Sequence, residues 1–98
     1  MAQYDVHRVA GNRLVVDCQA NLLSHLESRL VVEIVAKTDG LPVMRHLNPV
    51  VRVADEDFVM LAQAPVTIRA RDLKEVVGSV AEQALDITRA FDVLLTGI

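Results

Sequence analysis

The chain has 98 residues and a net charge of −3, and 52% of it is hydrophobic although one Tyr and two Phe are its only aromatics. A chain this short supports one domain, residues 1–98, with a modest core. The acidic balance and the scattered Lys/Arg exclude a clustered basic face for direct nucleic-acid binding. So large an aliphatic share in so small a chain means either a dense Val/Leu core or apolar surface left for a partner, and a second copy in a symmetric homodimer is the simplest such partner.

Cys18 is the single cysteine and sits in an apolar run. It has no intramolecular disulfide partner, which suits a reducing compartment, and it is read as a small buried hydrophobe rather than a nucleophile. The first residues, MAQYDVHR, contain no apolar h-region. No apolar run approaches the ~18 residues needed to span a bilayer. The expectation is a cytoplasmic protein without a membrane segment.

Taken in chain order, the first two thirds show strand periodicity. AQYDVHRV alternates and ends in a turn at Gly11-Asn12. RLVVDCQ (13–19) is a short β-branched run, and RLVVEIVAK (29–37) is long and apolar enough for a central strand. Thr38-Asp39-Gly40 and Pro42 break it. NPVVRVAD (48–55) alternates, with Val51 and Val53 on one face and Val50 and Arg52 on the other. Asp55-Glu56-Asp57 predicts a hairpin turn into FVMLAQ (58–63), and Pro65 opens a last strand, VTIRA.

The period then changes from 2 to 3.6. A short helical turn is expected around Leu73–Val77, separated by Gly78 from a longer helix. Ser79 and Glu82 have the spacing of a capping box at the start of that helix. From Val80 the apolar positions 80, 84, 87, 91, 94 and 95 fall within a stripe about 100° wide, which predicts a core-facing helix face and assigns Leu94 to the core. The fold class expected is α+β, mainly antiparallel β, with one C-terminal helix.

Chemistry-bearing constellations are sparse. His7, His25 and His46 are far apart and lack ligand-like spacing with Cys18 or a carboxylate, so no metal site is expected and each His is read as a surface or half-buried group. Asp55, Glu56 and Asp57 read as a solvated turn rather than a catalytic carboxylate pair. No P-loop, GxGxxG or GxSxG is present. Arg13, Asp17 and His7 are polar groups that a metal-free ribonuclease could use, but their spacing builds no arrangement. No cofactor is implied.

The order of blocks does carry a resemblance. RLVVDCQANLL, LNPVVRVADEDFVML, APVTI and the tail ITRAFDVLLTGI resemble, in that order, the corresponding blocks of the CcdB family, toxins of toxin–antitoxin operons. The resemblance covers essentially the whole chain and includes a closing Gly-Ile, here Gly97-Ile98. No single block is specific; their joint order is.

That resemblance implies a small SH3-like barrel or sheet of the CcdB/MazF type with a C-terminal helix, assembled as a homodimer. It implies a non-enzymatic toxin that binds the DNA gyrase A subunit, traps the gyrase–DNA cleavage complex, and is neutralised by a CcdA-like antitoxin. The gyrase-binding positions carried over are Leu22, Leu23, Asp92, Leu95, Thr96, Gly97 and Ile98. A flexible Gly before a terminal carboxylate fits a helix end used as a contact tip. The family has two isoleucines at Leu22 and Leu23, asparagine at Asp92, phenylalanine at Leu95 and tryptophan at Thr96. A stacked, desolvated tryptophan–arginine contact contributes about 2 kcal/mol, and threonine has no ring to make it. The alternatives are a non-toxic or retargeted homologue that keeps the dimer and antitoxin binding, and a MazF-like endoribonuclease.

Overall fold

The computed structural model describes residues 2–38, 40–41 and 43–98. Its strands are β1 (Asp5–Val9), β2 (Arg13–Asp17), β3 (Ser28–Ala36), β4 (Val50–Val53), β5 (Glu56–Met60), β6 (Val66–Arg69) and β7 (Val76–Ser79), followed by one helix, α1 (Ala84–Thr96). All pairings are antiparallel, in the order β4-β5-β3-β2-β1-β7, with β6 paired to β3 beside β5. β3 is the central strand because it is long enough to hold β5 along residues 34–36 and β6 along residues 28–31 on one edge. The sheet curls until β7 approaches β4: a Cβ on Gly78 would lie 3.1 Å from Val53 Cγ1. The result is a nearly closed barrel with a C-terminal helix.

Period-2 alternation produces two buried sets. Val6, Val16, Val32, Ile34, Val51, Val53 and Met60 face α1 and pack with Val80 and Ile87. The alternate positions put His7, Val15, Asp17, Arg29 and Val31 on the opposite face, all buried. A smaller cluster of Leu47, Ala62 and Ala90 seats the middle of the helix. Asn48 anchors the approach to β4: its Nδ2 donates to Met60 O at 3.0 Å and its Oδ1 accepts from the Met44 N–H at 2.9 Å.

The expected strands, the Gly11-Asn12 turn and the faces of β4 match the structure. Four details differ. The β4–β5 turn is Ala54-Asp55, both at positive φ as a two-residue hairpin requires, and Glu56 and Asp57 belong to β5. The expected helical turn at 73–77 is instead a 3₁₀ turn at Ala70–Asp72 and then β7. Val76 and Val77 are β-branched and find an open edge on β1, which overrides the local pattern. The capping box does not form: Ser79 Oγ accepts from the Ala81 N–H at 3.2 Å, a 3₁₀ turn occupies Ala81–Gln83, and α1 begins at Ala84 without a side-chain cap. Leu94 is 36% exposed rather than core, and Ala90 takes a buried place. Asp39 and Pro42, two of the residues expected to end the central strand, lie outside the described residues, and Gly40 has φ +84°.

Candidate functional site

The positions implied as a contact surface fall in two segments, both exposed. Leu22 (86% exposed) and Leu23 lie in a 3₁₀ turn, Asn21–Leu23, between β2 and β3. Leu95 (78%) and Ile98 (92%) project from the last turn of α1 and just beyond it. The helix closes because Gly97 adopts φ +81°, which a glycine reaches without steric cost, and its N–H donates to Val93 O at 2.9 Å. Thr96 does not reach outward with its hydroxyl: Oγ1 donates to Asp92 O at 2.7 Å and lies 3.4 Å from the Ile98 N–H.

A shallow cleft of about 280 Å³ runs beside the helix and is lined by Tyr4, Cys18, Leu30, Phe91, Asp92 and Leu95. Gln3 joins this cleft to the leucine turn. Its side-chain amide donates to Cys18 O at 3.1 Å and its backbone N–H donates to Asn21 Oδ1 at 2.9 Å. Thus Asp92 and Leu95 share one cleft, while Leu22 and Leu23 sit on the turn tied to its rim.

The leucine turn is held by a buried ion pair that sequence reasoning did not assemble. Arg29 Nε and Nη2 donate to Asp17 Oδ2 at 3.0 and 2.7 Å, and both side chains are fully buried. The other carboxylate oxygen, Oδ1, accepts from the Gln19 N–H at 3.1 Å. Gln19 then donates through Nε2 to Leu23 O at 3.1 Å and accepts the Leu30 N–H at 3.0 Å. A relay therefore runs from the buried pair to the exposed leucines. The signal available in sequence was an acid and a base ending apolar strand runs; their mutual reach needed the β2–β3 register.

His7, expected at the surface or half-buried, is fully buried, and Nδ1 donates to Lys74 O at 3.2 Å. Among the described residues, His7 Nε2 and Arg29 Nη1 are buried polar atoms without partners. Burial excludes His7 and Asp17 from contact with a large substrate, and Arg13 is exposed on the surface, 4.0 Å from Glu33. The three polar groups singled out from the sequence are not gathered at one open site.

Burial, aided by the neighbouring Asp17 carboxylate, pushes the Cys18 thiol up to about 12, so the thiolate is absent at neutral pH and the side chain is a hydrophobe on the cleft wall. Among the described residues no group of three or more His, Cys, Asp or Glu is placed to hold a metal, and no helix is long and apolar enough to cross a membrane.

Solved structures share this architecture. An endoribonuclease from a mycobacterial species superposes with TM-score 0.81 at 14% identity, covering 97% of this chain and 90% of that one. An endoribonuclease in complex with its cognate antitoxin, also mycobacterial, gives 0.80 at 15%, covering 97% and 94%. The Mycobacterium tuberculosis toxin MazF-mt6 gives 0.71 at 19%, covering 92% of each chain. At these identities the likeness establishes the barrel-and-helix fold. Sequence is more specific: the family model described as CcdB protein matches residues 3–97, and the chain belongs to the CcdB family.

Proposed function

We propose that this chain, as a single domain, is the toxin of a type II toxin–antitoxin pair. It acts by binding the DNA gyrase A subunit and trapping the cleaved-DNA complex, without catalysing a reaction of its own. The observation that carries this reading is the apolar helix tip, with Leu95 78% and Ile98 92% exposed, at positions that the resemblance to the family implies as its contact surface. Leaving large aliphatic groups in water is unfavourable by about 25 cal/mol per Å², and a partner removes that cost. The exposed leucine turn and the apolar cleft by α1 support a homodimer that brings two tips together. A cognate antitoxin fits the family and the named antitoxin complex among the structural neighbours. The setting is cytoplasmic.

Thr96 shapes the strength of the interaction. Its hydroxyl is bonded back to the helix, so its place offers neither a ring nor a free donor. Loss of two aromatic contacts of about 2 kcal/mol each corresponds to weakening by about 10³-fold. The test is a cleavage assay with purified protein, host gyrase, ATP and supercoiled plasmid, followed by detergent and protease. Linear DNA above a toxin-free control supports poisoning. Its absence at large toxin excess sinks the reading and leaves a homologue that binds antitoxin without poisoning gyrase.

The ribonuclease alternative is favoured by one observation, the likeness to proteins named as endoribonucleases. It finds no support in the burial of His7 and Asp17. Cleavage of total RNA by metal-free protein would select it.

A further inference from the structure

β6 is an open edge between two clefts. Among the described residues it pairs with β3 alone. The Ala70 N–H donates to Glu27 O, so with period 2 the main-chain groups of Ile68 and Val66 also point at β3, and those of Thr67 and Arg69 point away. Among the described residues, the outward N–H and C=O of Thr67 and Arg69 have no main-chain partner. Pro65 precedes them at a place where an N–H would also point outward, so its missing donor costs no ladder bond. The outer edges of β4 and β7 lie against each other at Val53 and Gly78, which among the described residues sets β6 apart as the edge left open.

On one side of β6 lies a cleft of about 590 Å³ lined by Glu27, Ser28, Thr67, Ile68, Arg69 and Arg71. Neither arginine has a carboxylate within ion-pair distance among the described residues. With Glu27 in the same lining they leave the cleft one positive charge in excess, on a chain of net charge −3. On the other side lies a cleft of about 290 Å³ lined by Val9, Val15, Val31, Val66 and Ile68, with Arg13, Asp72 and Lys74 also on its walls. An added strand sends alternate side chains to opposite faces. A strand that alternates acidic and apolar residues would place its acids beside Arg69 and Arg71 and its apolar groups against Val66 and Ile68.

We infer that the free edge of β6 is a docking site for an extended peptide segment alternating acidic and apolar side chains, bound as an additional strand. A second copy of β6 is the poorer occupant. The segment VTIR contains no acid, so pairing it with itself gathers arginines without a counter-charge. The inference stands apart from gyrase binding, since it uses none of the helix-tip residues, and either reading can fail alone.

The test uses the intact protein and a labelled, end-capped peptide of alternating Glu and Val, followed by fluorescence anisotropy at low and high salt. Saturable binding that weakens with salt is expected. Thr67→Pro, which removes an outward N–H while leaving the bonds to β3, and Arg69→Glu should each weaken it by about tenfold or more, a change of about 1.4 kcal/mol. Circular dichroism checks that both variants fold, and Thr67→Val, which keeps the N–H, should bind as the parent does. The inference is overturned by any of four results: no binding, equal binding of an alternating Lys-Val peptide, tighter binding of a single-stranded RNA oligomer to the same arginines, or loss of a homodimer on Thr67→Pro.

Discussion

Asp17 and Arg29 are charged and lie wholly out of water, whereas Leu95 and Ile98 are apolar and lie almost wholly in it. Each pair inverts the ordinary placement of its residue type, for different reasons. The buried charges are compensated within the chain: two hydrogen bonds join them, and a third leads through Gln19 to the leucine turn. The exposed apolar groups have no compensation within the chain. A dry ion pair therefore marks a structural support, and a wet aliphatic tip marks a surface awaiting a partner. The contrast separates what keeps this protein folded from what it offers to others.

The largest test breaks the buried pair. Arg29→Met leaves Asp17 charged and buried, and should lower unfolding free energy by about 3–5 kcal/mol, read as a fall in the urea midpoint. Adding Asp17→Leu removes the stranded charge and should recover most of the loss. Failure to recover would show that the pair also defines the β2–β3 geometry through packing.

A second test concerns the cleft wall. The folded Cys18 thiol titrates near 12, against an ordinary value of 9.0. The fold favours the neutral thiol, so its contribution is complete below the unfolded value and is lost as pH rises toward 12. By pH 10 the loss relative to pH 8 should be about 1 kcal/mol, and Cys18→Ala should abolish that part of the pH dependence. Iodoacetamide should label the folded protein far more slowly than the urea-unfolded chain at pH 8. Equal rates would contradict the buried thiol.

Smaller effects are expected toward the tip. Gly97→Ala forces a Cβ into the left-handed region and should cost about 1 kcal/mol. Beyond its two chain neighbours nothing lies within 4 Å of the added carbon, so the cost is conformational and Gly97→Asn should cost less. Leu95→Ala and Ile98→Ala should change stability by no more than about 0.5 kcal/mol. If the tip contacts gyrase, the same substitutions should reduce linear DNA in the cleavage assay by about tenfold or more. A large stability loss with unchanged cleavage would reverse the comparison and make the tip structural.

Much of this architecture is legible locally. RLVVD, RLVVEIVA and VVRV carry the β-branched residues of β2, β3 and β4, and ALDITRAF carries the period of α1. The candidate contact residues were legible only through family resemblance, since nothing in the residues LLTGI alone distinguishes a core plug from an exposed tip. Leu94 shows the difficulty: it shares the apolar stripe with Ile87 and Phe91, yet Ile87 is buried and Leu94 is partly in water. VVGS reads as the end of a helical turn, a separating glycine and a helix cap until an open edge on β1 recruits it as β7.

The sequence by itself determined the alternation of the strands, the change of period into a C-terminal helix, and membership of the CcdB family, because these are properties of short spacings and of block order. Tertiary structure alone decided which charges are buried, which strand edge remains open, and which apolar groups face water. Asp17 and Arg29 are twelve positions apart, and a charge can be placed inside only when the chain returns to supply its counter-charge. Burial and pairing are relations between distant segments, and no local pattern carries them.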